Sequence, residues 1–121
     1  MNRIIILLAI ALIAFASCKK PKKAQVIAIS KAKPLEFYGN YSQWLHKSDS
    51  NVVFINMYEL GVDSALKVLD SCDGLIVTGG ADVYPGWYGK LQDTVLCGEF
   101  DRYRDTLEIR LIEKAIANKM P

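Results

Sequence analysis

Asp73-Gly74-Leu75-Ile76-Val77-Thr78-Gly79-Gly80-Ala81-Asp82 is a short apolar run that stops abruptly at a pair of glycines. Leu75, Ile76 and Val77 are contiguous, the pattern of a central parallel strand covered on both faces. Gly79 and Gly80 then free the backbone of the limits that a Cβ imposes. In an open α/β sheet, ligands settle just beyond the carboxyl ends of the strands, so this strand end is the candidate site.

The flanking segments supply the rest of such a sheet. Upstream, Gln25 to Ser30 reads as a first strand, and Pro34 breaks it. Leu35 to Lys47 carries Tyr38, Tyr41 and Leu45 at helical spacing, with His46 near the end where a helix dipole favours positive charge. Val52 to Met57 reads as a second strand. Gly61-Val62-Asp63 opens a helix with Asp63 as its cap and an apolar face of Ala65, Leu66, Val68 and Leu69. Downstream, Gly79 to Phe100 reads as one long loop, a length that is usually functional in a compact domain. Asp101 or Asp105 then starts a helix with Leu107, Leu111, Ile112, Ala115 and Ile116 on one face. Strand alternating with helix builds right-handed βαβ units, so the expected class is α/β with a parallel sheet.

With 121 residues the chain has room for one small domain. Its net charge of +2 comes largely from Lys19, Lys20, Lys22 and Lys23, so the folded part lacks the basic face of a nucleic-acid binder. Cys18, Cys72 and Cys97 form no metal-ligand spacing, and with His46 the single histidine no metal site is expected. Cys72 and Cys97 are either buried thiols or a disulfide.

Residues 1–17 read as an export signal: Arg3 supplies a positive start, and the apolar run Ile4 to Phe15 is shorter than the about 20 residues a spanning helix needs. Ala16-Ser17-Cys18 resembles a bacterial lipoprotein processing site, which implies lipidation of Cys18 and a cell-envelope location facing the periplasm or exterior. Simple secretion with cleavage near Ala16, or an uncleaved anchor, is the alternative. Residues 18–24 are then a basic tether, with the membrane as a partner through the lipid, and residues 25–121 the domain.

Three linked pieces carry a family resemblance. They are Asp73 to Val83, then Pro85 with Trp87-Tyr88-Gly89, then Asp101 with Arg104, Asp105, Glu108 and the helix from Leu111 to Pro121. In order and spacing they resemble the class I glutamine amidotransferase-like superfamily, most closely its gamma-glutamyl-gamma-aminobutyrate hydrolase branch of the peptidase C26 type. The resemblance implies a partial flavodoxin-like three-layer domain, cut before the strand that presents a nucleophilic cysteine. It also implies cofactor-free hydrolysis of a gamma-glutamyl small molecule by a Cys-His-Glu triad through a thioester. Gly79 and Gly80 match the loop that donates a backbone N–H to the oxyanion, a reading favoured over the plainer one of a tight turn. Asp82, Tyr88, Arg104 and Asp105 match positions bordering the substrate cleft, against the plainer roles of loop bracing and helix capping.

Neither Cys97 nor Cys72 has the surroundings of a strand-to-helix nucleophile elbow, and His46 lies too far upstream to be the triad histidine. Catalysis by these 121 residues alone is therefore not expected. The alternative is a short lipoprotein that binds or interacts without catalysis. A nucleotide-binding domain is disfavoured, because Thr78 to Val83 has no GxGxxG pattern and no P-loop lysine follows.

Overall fold

The computed structural model describes residues 23–33 and 40–121. The β-branched run after the tether forms β1 (Val26–Ile29), and the two later apolar runs form β2 (Val53–Asn56) and β3 (Gly74–Ile76). All pair in parallel in the order β2-β1-β3, with Ala28 opposite Ile55 on one side and Leu75 on the other. The α/β class with a parallel sheet is therefore met.

One expectation reverses. The central strand is β1, whose Ala28 and Ile29 are fully buried, whereas β3 lies at the edge among the described residues. Leu75 and Ile76 are only half-buried, and Val77 falls beyond the strand with 41% of its surface exposed. The outer side of β3 carries one backbone bond, from Leu75 N–H to Pro121 O at 2.9 Å.

The three α-helices are α1 (Tyr41–Ser48), α2 (Val62–Leu69) and α3 (Arg102–Ala117). The connections from β1 to β2 and from β2 to β3 cross the sheet in opposite directions. Right-handed crossovers thus place α1 on one face and α2 on the other, where α3 packs beside it. That is the three-layer arrangement of a partial flavodoxin-like domain. The core lies between the sheet and the α2–α3 layer, where Ala28, Met57, Ala65, Leu69, Cys72, Leu107 and Leu111 form one buried cluster.

Helix starts differ from the sequence expectation in instructive ways. Asn40 caps α1 by accepting the Gln43 N–H at 2.7 Å, so the helix begins at Tyr41; residues 34–39, where the earlier start was expected, lie outside the described residues. Asp63 is not the cap of α2. Gly61, at φ 78°, turns the chain out of the 3-10 helix Met57–Leu60, and the helix begins at Val62, leaving Asp63 in the first turn to face the dipole. For α3 the cap is Asp101, whose Oδ1 accepts the Arg104 N–H at 2.9 Å, and Asp105 sits one turn in. Leu107, Leu111 and Ala115 face the core as expected, but Ile112 and Ile116 do not, at 39% and 72% exposed. Arg104 and Glu108 occupy the buried stripe instead.

Helix α3 ends in a Schellman motif, with Lys119 N–H bonded to Ile116 O at 3.1 Å and Met120 N–H to Ala115 O at 2.9 Å. The turn puts Lys119 at φ 52°, a conformation that a side chain disfavours. Lys119→Gly is therefore expected to raise stability by about 0.5–1 kcal/mol in urea denaturation.

The segment Gly79 to Phe100 is not the irregular loop expected. It holds two 3-10 helices, Pro85–Tyr88 and Leu91–Leu96. Cys72 and Cys97 are free thiols. Cys72 precedes β3 at the amino edge of the sheet, and burial pushes its thiol pKa up; Cys97 lies in the segment beyond the carboxyl edge. The expected export signal (1–17), Cys18 and most of the tether lie outside the described residues, among which no helix is long and apolar enough to cross a membrane.

Candidate active site

The carboxyl ends of β1 and β3 meet the amino end of α3, and each contributes polar groups for a reason visible in its local sequence. Ser30 follows the last apolar residue of β1 and is fully buried. Its Oγ donates to Glu108 Oε1 at 2.7 Å and accepts the Thr78 N–H at 3.0 Å. Thr78 Oγ1 donates in turn to Lys31 O at 3.2 Å. The end of β3 is thereby tied to the end of β1 and to α3.

Beyond Thr78, Gly79 and Gly80 stand exposed, and among the described residues neither N–H has a hydrogen-bond acceptor. Neither glycine has a positive φ, so the conformational freedom expected of the pair is not what the turn uses. The two differ in another way. A Cβ on Gly79 would meet nothing within 4 Å, whereas one on Gly80 would overlap Arg104 Nη1 and crowd its Cζ at 3.3 Å. Gly80 is small because a buried guanidinium lies against it.

Arg104 projects from α3 with only 4% of its side chain exposed. Its Nη2 donates to Ala81 O, its Nε lies 3.6 Å from Glu108 Oε2, and Asp105 Oδ1 is 3.9 Å from Nη2. Those last two separations exceed a good hydrogen bond, and Arg104 Nε and Asp105 Oδ1 are buried without a hydrogen-bond partner among the described residues. The other Asp105 oxygen accepts the Tyr84 N–H at 2.9 Å, which fixes the following loop to α3.

A cleft of about 370 Å³ opens between these elements, lined by Lys31, Lys33, Gly79, Gly80, Asp101 and Arg104 among others. It lies between β1 and β3, where the strand order reverses, the position at which open α/β sheets bind ligands. Lys31 and Asp101 form its wall: Lys31 Nζ lies 2.7 Å from Asp101 Oδ2 and 4.2 Å from the Tyr58 ring centre, and the Tyr58 hydroxyl donates to the same oxygen at 2.9 Å. Burial by itself would raise the Asp101 carboxyl. Hydrogen bonds from Lys31, the Arg104 N–H and Tyr58, with the charge of Lys31, outweigh it and hold the pKa at about 2. The Lys31 ammonium is raised, chiefly by its hydrogen bond to Asp101 and against the effect of burial.

Because the Asp101 pKa is depressed from an ordinary 3.8, its contribution is complete above about pH 4 and is lost as pH falls through 2. The wild type is expected to lose on the order of 1 kcal/mol across that window, after allowance for partial exposure. Asp101→Asn should lack that component of the acid transition when stability is followed against pH.

Of the residues expected from sequence to border a substrate, the cleft takes in Gly79, Gly80 and Arg104 but not Asp82, Tyr88 or Asp105. Asp82 closes the base of the long loop: its Oδ2 accepts the Gly98 N–H at 2.8 Å, and it bridges to Phe100. Phe100 packs edge-on against Tyr84 at 5.4 Å. Tyr88 is 54% exposed; its hydroxyl pKa is raised by local desolvation and then by the nearby Cys97, Asp93 and Asp82. The sequence assigns no site role to Ser30, Lys31 or Tyr58; Asp101 is expected only as a helix start and a mark of resemblance, and Glu108 only as the latter. A signal for Glu108 existed: two charged residues, Arg104 and Glu108, share the stripe of Leu107 and Leu111.

His46 stands near the end of α1, which leads into the amino end of β2, so both it and Cys72 lie at the sheet edge opposite the cleft. Among the described residues no group of three or more His, Cys, Asp or Glu could hold a metal. What the cleft offers is backbone donors and buried charge.

The profile of the family described as Peptidase C26 matches residues 11–121. The chain belongs to the peptidase C26 family. No curated protein and no solved structure matches it. Membership supports a hydrolase-type function, and in this peptidase C26 chain the matched region takes in every residue of the cleft.

The arrangement separates the two glycines by experiment. In the peptidase C26 chain, Gly80→Ala is expected to cost about 1–3 kcal/mol by overpacking against Arg104, and Gly79→Ala less than about 0.5 kcal/mol. Paired urea titrations check this; equal effects at the two positions would contradict it.

Proposed function

We propose that this chain forms the oxyanion side of a hydrolase for gamma-glutamyl amides. The observation that carries the proposal is the pair of exposed glycines, Gly79 and Gly80, whose N–H groups have no acceptor among the described residues, just beyond a parallel strand and beside a cleft at the reversal of strand order. A cysteine thiolate attacks the gamma-carbonyl carbon, the carbonyl electrons move onto oxygen, and a backbone N–H stabilises that charge. Collapse breaks the C–N bond as the histidine that took the thiol proton passes it to the departing amine; the thioester left behind is hydrolysed by water activated by the same histidine, which glutamate orients. Loss of one such donor typically costs about 10²–10³-fold in turnover. The nucleophile is a cysteine other than Cys18, Cys72 and Cys97. Arg104 supports the substrate cleft from its floor; Asp82, Tyr88 and Asp105 act through the loop that borders it. Cys18 carries the lipid that holds the domain on a bacterial cell envelope.

The test begins with the genomic sequence after the Pro121 codon. A Gly-x-Cys-x-Gly elbow followed by a His-x-Glu, in frame or frameshifted, supports the proposal. The corresponding longer protein should then hydrolyse a chromogenic gamma-glutamyl anilide and lose activity with iodoacetamide. Unrelated downstream sequence together with no hydrolysis would sink it. Metabolic labelling with palmitate, abolished by Cys18→Ser, tests the anchor.

A further inference from the structure

Among the described residues the Gly79-Gly80 N–H groups have no acceptor to hold them, and two successive glycines have the greatest backbone freedom of any dipeptide. Their direction must be imposed from the flanks. On one flank Thr78 N–H is held by Ser30 Oγ at 3.0 Å, and Ser30 directs its single proton to Glu108 Oε1 at 2.7 Å. On the other flank Ala81 O accepts from Arg104 Nη2, while the Arg104 guanidinium fills the space beside Gly80. Arg104 and Glu108 are one helical turn apart on α3, with Nε and Oε2 separated by 3.6 Å. A single helix face thus holds both ends of the loop. Ser30, Thr78, Arg104 and Glu108 are all at least nine-tenths buried, so water does not substitute readily for these bonds.

We infer that Glu108, acting through Ser30, and Arg104 are positioning residues that set the direction of the Gly79 and Gly80 N–H groups. The inference rests on the oxyanion reading of the loop for its catalytic consequence, but the orientation is measurable without substrate. The chemistry also explains a charged pair on an otherwise apolar stripe: Leu107 and Leu111 dock α3 on the sheet, and Arg104 and Glu108 aim the loop from the same helix.

The test uses the full chain labelled with ¹⁵N. Residual dipolar couplings report the Gly79 and Gly80 N–H vectors, and hydrogen exchange reports the Thr78 N–H. Ser30→Ala and Glu108→Met should shift both glycine couplings and speed Thr78 exchange at least tenfold. Glu108→Gln, which keeps an acceptor for Ser30, and Thr78→Ser, which keeps the hydroxyl, should match the wild type. Couplings of β1 and α2 should stay constant throughout. A packing role alone would leave the glycine vectors unmoved in Glu108→Met, and unchanged vectors in both Ser30→Ala and Glu108→Met would overturn the inference. Should Glu108→Met fail to fold, Ser30→Ala decides by itself. Absence of gamma-glutamyl hydrolysis by the longer protein would overturn the proposed activity and leave the couplings to decide the positioning.

Discussion

Replacing Arg104 with methionine is expected to lower stability by about 3–5 kcal/mol, because removal of one partner from a buried ion pair leaves uncompensated charge behind. Two carboxylates depend on this guanidinium. Glu108 lies 3.6 Å from Nε and Asp105 lies 3.9 Å from Nη2, with their side chains only 10% and 0% exposed. Methionine matches the length of the aliphatic stem, so loss of packing is small and the effect is chiefly electrostatic. Urea denaturation measures it. The double variant Arg104→Met with Glu108→Gln should recover part of the loss, since the stranded charge is removed. A single variant within about 0.5 kcal/mol of wild type would show that the cluster is not the buried network described.

Leu107→Ala is expected to cost about 2–5 kcal/mol, the range for deleting a large buried aliphatic side chain that leaves a cavity. Leu107 is fully buried in the cluster that joins α3 to β1 and α2. Ile116→Ala serves as the control. Ile116 is on the same helix with comparable apolar surface but is 72% exposed, and its truncation should stay within about 0.5 kcal/mol. Equal losses would mean that α3 presents a different face to the sheet. The contrast bears on function, because the helix orientation fixed by Leu107 also carries Arg104 and Glu108 to the loop.

These two helix positions show how far the sequence could be read. The periodic apolar residues of α3 announce a helix, and Leu107, Leu111 and Ala115 are the core residues expected. Ile112 and Ile116 satisfy the same spacing, but they rotate away from the sheet, and the stripe is completed by Arg104 and Glu108. An apolar pattern records which residues could be buried; the neighbours decide which are. Asp63 and Asp101 make the same point for helix starts. Both are acceptable caps by residue type, yet only Asp101 has the flanking geometry, because the positive φ of Gly61 sets the start of the other helix two residues earlier.

By itself the sequence determined the alternation of strands and helices, the parallel α/β class and the position of the candidate site beyond the third strand. These follow from contiguous apolar runs, helical spacing and a glycine pair, all local properties of the chain. Only the tertiary structure decided that β1 is the central strand, that Gly80 is small on account of Arg104, and that Ser30 reaches Glu108 across 78 residues of sequence. Those depend on which strand edges pair and which helix face meets the sheet. Contacts so distant in sequence leave no periodic trace, so the Gly79-Gly80 end of β3 was visible as a candidate site, while the groups that contact it from β1 and α3 were not.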